Sequence, residues 1–188
     1  LCKNIQGCVF GYTQSDEITL VLTDYATIST DAWFGYNVQK MCSIAASLAT
    51  LAFNTAFSDI GSLAIQYYDT IASPESVVKE NYMVYADKFN QAMFDARAFS
   101  LPIDEVCNCL IWRQQDATRN SIEAVGQANF SHRELHGKSC NEIQEMLWSQ
   151  RGINWNDYPI YLKRGACCHR KNVEKDIPDP KNADSVLH

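Results

Sequence analysis

Asp16 and Glu17 stand side by side in the run Gly11-Tyr12-Thr13-Gln14-Ser15-Asp16-Glu17. Two carboxylates at or beside the tip of a hairpin suit Mg2+, a hard cation that takes few protein ligands and keeps room for phosphate oxygens and water. In nucleotidyl transfer, two such ions clamp the attacking and the leaving oxygen. The dipeptide by itself reads first as an ordinary acidic turn, because Asp is common in turns. A second set, Arg113, Asp116, Arg119 and Asn120, falls at helical spacing and shares one face of a helix. Arginines so placed bind a triphosphate or an RNA backbone, or else form surface ion pairs with Asp116; the residues alone leave both open. His132 and His136 are spaced like a helical metal pair, but Gly137 and the polar setting favour two surface histidines. Cys167, Cys168 and His169 lack the CxxC partner of a zinc site and read as plain thiols beside a histidine. No phosphate-loop, GxGxxG, GxSxG or HExxH pattern occurs.

The elements that must hold these residues follow from periodicity. Val9 to Leu22 reads as two strands around a tight turn, with Ile18, Leu20 and Leu22 on one face and Gly11 and the polar run Thr13 to Asp16 leading into the turn. Val38, Met41, Cys42, Ala45, Leu48, Ala49 and Ala52 recur at helical intervals and predict a helix from about Asn37 to Phe57 that packs on the sheet. Lys40 falls off that stripe and is free to face solvent or a ligand. Ser73 and Pro74 mark a break, with a helix expected after them. Met93 to Leu101 predicts a strand with Asp95, Arg97 and Phe99 on one side, ended by Pro102. Asp104 is expected to cap a helix from about Glu105 to Gln127. Ser139 with Glu142 predicts a capping box opening a helix over Asn141 to Ser149. Val173 to His188 reads as a polar tail or loose hairpin. This order is most of a split βαβ, ferredoxin-like unit, lacking a strand and a helix ahead of Leu1.

Bulk composition sets the outer limits. With 188 residues, 46% hydrophobic and 20% charged, the chain is expected to bury a core, and disorder is not the default reading. The most apolar stretch, Met41 to Phe57, is broken by Ser43, Ser47, Thr50 and Asn54 and is shorter and wetter than a membrane span. No membrane partner and no cleavable signal at Leu1 are expected, and the expected compartment is the cytoplasm. The eight cysteines fit buried or surface thiols better than a disulfide scaffold. A net charge of −6 opposes nucleic-acid binding, offset locally by Arg113 with Arg119, His132 with Arg133, Lys163 with Arg164, and Arg170 with Lys171.

The run Gly11 to Glu17 resembles the carboxylate hairpin of the tRNA-His guanylyltransferase superfamily. It is joined, in the order of that superfamily, by Trp33-Phe34 with Lys40, by Phe94-Asp95-Ala96-Arg97, by Trp112-Arg113-Gln114-Gln115-Asp116, by Asn154-Trp155-Asn156, and by Lys163-Arg164-Gly165. The resemblance covers about Gly7 to Cys168. It implies an α+β fold: a polymerase-palm, ferredoxin-like antiparallel sheet with helices packed on one face, plus a C-terminal helical and irregular extension. The expected regions are a palm-like catalytic domain over 1–130, a helical extension over 131–172 and a polar tail over 173–188. The implied activity is metal-dependent addition of nucleotides to the 5′ end of RNA, in the 3′-to-5′ direction. A nucleoside triphosphate activates a 5′ monophosphate, which the 3′-hydroxyl of an incoming nucleotide then attacks.

By resemblance, Asp16 and Glu17 are the catalytic and metal-site residues, served by two Mg2+ ions. Ser15, Lys40 and Arg113 are implied in nucleotide binding, and Arg119 and Asn120 in RNA binding. ATP and GTP or other nucleoside triphosphates are the implied substrates, tRNA the implied partner, and a homo-oligomer, a tetramer, the implied assembly. Eukaryotic guanylyltransferases carry a His-Ile-Asn-Asn element where Thr118, Arg119, Asn120 and Ser121 stand here. That pattern resembles the Thg1-like proteins, which fill in missing 5′ nucleotides against a template. A further metal-binding Asp followed by Gly, and a triphosphate-contacting lysine, are expected upstream of Leu1, so this chain alone is expected to hold metal poorly. A diguanylate-type nucleotide cyclase would carry Gly-Gly where Gln14-Ser15 stands. A non-catalytic RNA-end-binding module is the other alternative, separable by metal-dependent turnover.

Overall fold

The computed structural model describes residues 1–71, 83–171, 177–178 and 186–187. The chain forms two units, one from Leu1–Cys8 with Leu22–Asn108, the other from Val9–Val21 with Cys109–His188.

The second unit is built on an antiparallel sheet. Strands β1 (Cys8–Gln14) and β2 (Glu17–Leu22) are the hairpin that the alternation predicts. The turn is tighter than expected: Thr13 and Gln14 still belong to β1, and only Ser15 and Asp16 connect the strands. Ser15 takes φ 46°, in the left-handed region where non-glycine residues are uncommon. β1 is the central strand of the order β2-β1-β3. Its residues Tyr12 and Gln14 are therefore buried, at 4% exposure each, whereas Ile18 on the edge strand stays 38% exposed.

The third strand is β3 (Ala166–His169), which runs antiparallel to β1 with Tyr12 opposite Cys167 and Thr13 opposite Ala166. Gly165 feeds it at φ 76°. A Cβ there would lie 2.3 Å from the Thr13 carbonyl oxygen and 2.8 Å from the Tyr12 ring, so only glycine lets the chain come this close to β1. The strand expected at Met93 to Leu101 does not join a sheet among the described residues. Its alternation is real: Phe94, Ala96 and Ala98 are half-buried, while Met93, Asp95, Arg97 and Phe99 are exposed. Its backbone is satisfied differently. The N–H groups of Ala92 and Phe94 donate to Asn54 Oδ1 and Thr50 Oγ1, each at 3.1 Å. Helix side chains thus take the place of a partner strand.

Asn54 and Thr50 lie on α1 (Val38–Ile71), the main element of the first unit. It overruns the expected end at Phe57 because nothing there stops it. Gly61 does not terminate the helix; it makes room for Phe89, whose ring would meet an added Cβ at 2.4 Å. Phe53 meets Phe94 at a tilt and Phe57 meets Phe89 edge to face, with ring centroids 5.5 and 5.3 Å apart. At 34 residues, α1 is long and apolar enough to cross a membrane by length and composition. The argument from the shorter stretch Met41 to Phe57 therefore does not hold. The break at Ser73 and Pro74 lies outside the described residues, and a helical turn follows at 83–86.

Helix α2 (Ile103–Asn129) starts slightly earlier than expected, so Asp104 sits inside its first turn and does not cap it; with Glu105 it complements the helix dipole. Its residues from Cys109 onward belong to the second unit. There Ile122 packs in a core with Phe130, Ile143, Leu147 and Trp155. Helices α3 (His132–Leu135) and α4 (Cys140–Arg151) each open on a capping box, Ser131 with Glu134 and Ser139 with Glu142. The second is the one the sequence predicts. Helix α5 (Ile160–Arg164) leads to Gly165, and β4 (Ile177–Pro178) pairs antiparallel with β5 (Val186–Leu187), in keeping with a loose hairpin. Cys42, Cys107, Cys109, Cys140 and Cys167 are free thiols.

Gly165→Ala is expected to destabilise the fold by at least about 1 kcal/mol, because both the positive φ and the approach to Thr13 resist a side chain; thermal unfolding measures it. Glu142 yields a pH prediction. The Ser139 backbone N–H, the Ser139 hydroxyl and Lys138 together pull its carboxyl down to about 2. The lowered value means the cap's contribution is present above the ordinary carboxylate range and lost as pH falls towards 2. An NMR titration of the Glu142 carboxylate should show its midpoint there.

Candidate functional site

The two carboxylates of the hairpin have opposite surroundings. Asp16, in the turn, is exposed, and its side chain makes no hydrogen bond or ion pair among the described residues. Glu17, the first residue of β2, is half-exposed and bonded to protein groups. Arg113 Nη1 donates to both its oxygens, at 3.1 and 2.9 Å, and Gln14 Nε2 donates to Oε2 at 2.8 Å. The Thr13 hydroxyl donates to the Glu17 carbonyl at 3.3 Å. Arg113 is held in turn: its guanidinium lies 4.1 Å from the centre of the Trp112 ring, and Nη2 is 3.9 Å from Asp116. Arg119 reaches the same Asp116 at 2.5 Å, and Asn120 is half-buried beside it in sequence. Two atoms of this cluster are buried without a hydrogen-bond partner, Gln14 Oε1 and Arg113 Nε.

Behind the hairpin, motif residues brace the unit. The Tyr12 hydroxyl donates to the Arg164 carbonyl at 2.6 Å. Burial, then the neighbouring Cys167 and Glu17, raises its pKa above the ordinary phenol value. Trp155 Nε1 donates to the Ser121 hydroxyl at 3.1 Å, whose single proton has the Thr118 carbonyl at 3.0 Å and the Lys163 carbonyl at 3.4 Å as alternative acceptors. Lys163 Nζ donates to the Asn156 carbonyl at 2.5 Å. Ser121, the last residue of the element that stands in place of His-Ile-Asn-Asn, is thus tied to Trp155.

Of the residues singled out from the sequence, Ser15, Asp16, Glu17, Arg113, Arg119 and Asn120 all belong to the second unit, while Lys40 belongs to the first. Lys40 is exposed near the start of α1, its ammonium 4.5 Å from the Phe34 ring centre and its backbone N–H bonded to Asn37. Gln14 was read as part of a polar run and of the hairpin motif, with no role of its own; its burial follows from β1 being central, which required knowing of β3. His132 and His136 stack with centroids 6.1 Å apart, and no group of three or more potential metal-ligating side chains forms among the described residues. The donor set nevertheless suits Mg2+ at Asp16. That carboxylate is exposed and uncommitted, and Mg2+ ordinarily takes one or two carboxylates and fills its remaining positions with phosphate oxygens and water.

The second unit is thus an α+β arrangement in which a three-stranded antiparallel sheet carries one uncommitted carboxylate at its hairpin, beside an arginine-bearing helix. The model of the tRNAHis guanylyltransferase family, Thg1, matches residues 1–102, and the chain belongs to that family. A protein of Acanthamoeba polyphaga mimivirus with no assigned function is 26% identical over 90% of this chain and 58% of its own length. The tRNA(His) guanylyltransferase of Saccharomyces cerevisiae is 25% identical over 87% of this chain and 63% of its own length. A bacterial tRNA(HIS) guanylyltransferase (Thg1)-like protein has been solved in complex with ATP and with GTP. The ATP complex matches at 37% identity and TM-score 0.69, covering 90% of this chain and 64% of the other. The GTP complex matches at 36% identity and TM-score 0.62, covering 93% and 60%. The chain thus spans about three-fifths of the length of these relatives.

The contrast between the two carboxylates has a direct consequence for stability. Asp16→Asn should leave the melting temperature nearly unchanged. Glu17→Gln should cost on the order of 1 kcal/mol, allowing for partial solvent screening of its pair with Arg113. Parallel thermal melts of the two variants check both.

Proposed function

We propose that this chain is the palm portion of an enzyme that adds nucleotides to the 5′ end of tRNA, in the 3′-to-5′ direction and under the guidance of a template base. One observation carries the reading: in a chain matched by the guanylyltransferase family over 1–102, the hairpin tip presents Asp16 free of any partner among the described residues. Asp16 would hold Mg2+ against the phosphates of a nucleoside triphosphate. The ion, when bound, neutralises charge developing on those phosphates. Ser15, exposed beside Asp16, lines the triphosphate path. Lys40, by family resemblance a nucleotide-binding residue, offers a compact positive charge of the kind that suits a phosphate. Arg119 and Asn120 meet the RNA backbone, contacts that position the RNA without reading its sequence. ATP or GTP serves in activation, and the active assembly is a homo-oligomer, a tetramer.

Template guidance is favoured by the element Thr118 to Ser121. The Thr118 hydroxyl donates to the Gln114 carbonyl at 2.9 Å and Ser121 is bonded to Trp155. With Arg119 paired to Asp116, three of its four side chains are engaged within the protein, and the selection of the incoming nucleotide falls to base pairing with the template.

The test uses the full-length protein and tRNAs lacking their first nucleotide, with each of the four bases opposite the gap. Addition of the complementary nucleotide in each case is expected, and Asp16→Asn should lower the rate by at least ~100-fold. Addition of G alone, to tRNA-His alone, would contradict template guidance. RNA binding without turnover would instead mark a non-catalytic RNA-end-binding module.

A further inference from the structure

Asp16 and Glu17 were read from the sequence as a pair doing one job. The geometry separates them. The Glu17 carboxylate already receives three hydrogen bonds on its two oxygens, two from Arg113 and one from Gln14. A guanidinium keeps its charge at any accessible pH, so a divalent cation on Glu17 would lie against a fixed positive group. Arg113 is not a free phosphate-binding side chain either: it is 19% exposed, shared between Glu17 and Asp116, and stacked on Trp112. Gln14 is 4% exposed and commits its amide N–H to Glu17.

We propose that Arg113 and Gln14 are positioning residues that act through Glu17. By clamping its carboxylate they fix the two-residue turn and so present Asp16, and Glu17 is the anchor of that turn and not a metal ligand. The chain of contacts is continuous within one unit. Helix α2 fixes Arg113 through Trp112 and Asp116, Arg113 fixes the Glu17 side chain, and Thr13 and Gln14 fix the same residue from β1. Glu17 follows Asp16 directly, so what immobilises Glu17 also sets the direction of the Asp16 carboxylate. Outer partners of this kind commonly govern metal affinity without touching the metal. The proposal rests on the reading of Asp16 as the metal ligand for its consequence, but not for the clamp itself.

The two roles for Glu17 predict opposite signs. If Glu17 were a metal ligand held back by Arg113, removing the arginine would free the carboxylate and strengthen metal binding. If Glu17 is the anchor, removing the arginine loosens the turn and weakens it. The experiment is an NMR titration with Mn2+, reading paramagnetic broadening of the Ser15, Asp16 and Glu17 amides, together with hydrogen exchange at those amides. The variants are Arg113→Met, Arg113→Lys, Gln14→Met and Asp16→Asn. In Arg113→Met, Mn2+ binding should weaken roughly 10-fold and exchange at the turn should quicken. Arg113→Lys restores the charge without the fork and should recover part of both. Gln14→Met should shift both in the same direction by less. If Arg113→Met does not fold, the lysine variant carries the comparison. Stronger Mn2+ binding in either arginine variant, or binding and exchange both unchanged, overturns the proposal. Asp16→Asn should abolish the broadening. If it leaves the broadening intact, the metal reading of Asp16 fails, and the clamp is then judged on exchange alone: quicker exchange in Arg113→Met supports it and unchanged exchange overturns it.

Discussion

The ion pair between Glu17 and Arg113 joins the hairpin to helix α2, and much of the second unit is arranged around it. The pair brings together residues far apart in sequence, Nη1 to Oε2 at 2.9 Å, with the arginine largely withdrawn from water. A charge pair in that setting is stabilising only when its remaining bonding capacity is met. Gln14 supplies one further bond to the carboxylate, while Asp116 and Trp112 neutralise and cover the guanidinium. The cost of that arrangement is visible in two buried atoms without partners, Gln14 Oε1 and Arg113 Nε. Incomplete satisfaction concentrated at one cluster is expected at a functional site more than in a structural core.

The same pair is supported from the far side of β1. Gly165 allows β3 to lie close beside Thr13, and Tyr12 donates to the carbonyl of Arg164 just ahead of it. Trp155, Ser121 and Lys163 link that turn to α2. The motifs Asn154-Trp155-Asn156 and Lys163-Arg164-Gly165 are therefore read most directly as the brace that keeps β1 central and Gln14 buried.

Local chemistry was legible in the sequence wherever the cause was local. The hairpin and its acidic turn follow from alternation across Val9 to Leu22, and α4 opens at the capping box that Ser139 and Glu142 announce. Pairing over distance was not legible. Met93 to Leu101 has the period of a strand, but a period cannot say whether the backbone finds another strand or the side chains of Thr50 and Asn54. β3, only four residues long, carries two exposed cysteines and no alternation of hydrophobicity, so nothing local marks it. Its absence from the reading hid the central place of β1 and the burial of Gln14. The face shared by Arg113 and Asp116 was visible from spacing; that Arg113 is spent on Glu17 was not, because their meeting depends on how the hairpin lies against the helix.

The central claim is that Asp16 faces a bound cation while Glu17 faces the protein. It is tested most directly by a crystal structure of the chain with Mn2+ and ATP, in which anomalous scattering locates the metal. The account predicts a peak on the Asp16 carboxylate, bridged to phosphate oxygens, with Glu17 still bonded to Arg113. A peak on Glu17 with Arg113 displaced, or a nucleotide-bound metal remote from Asp16, would contradict it.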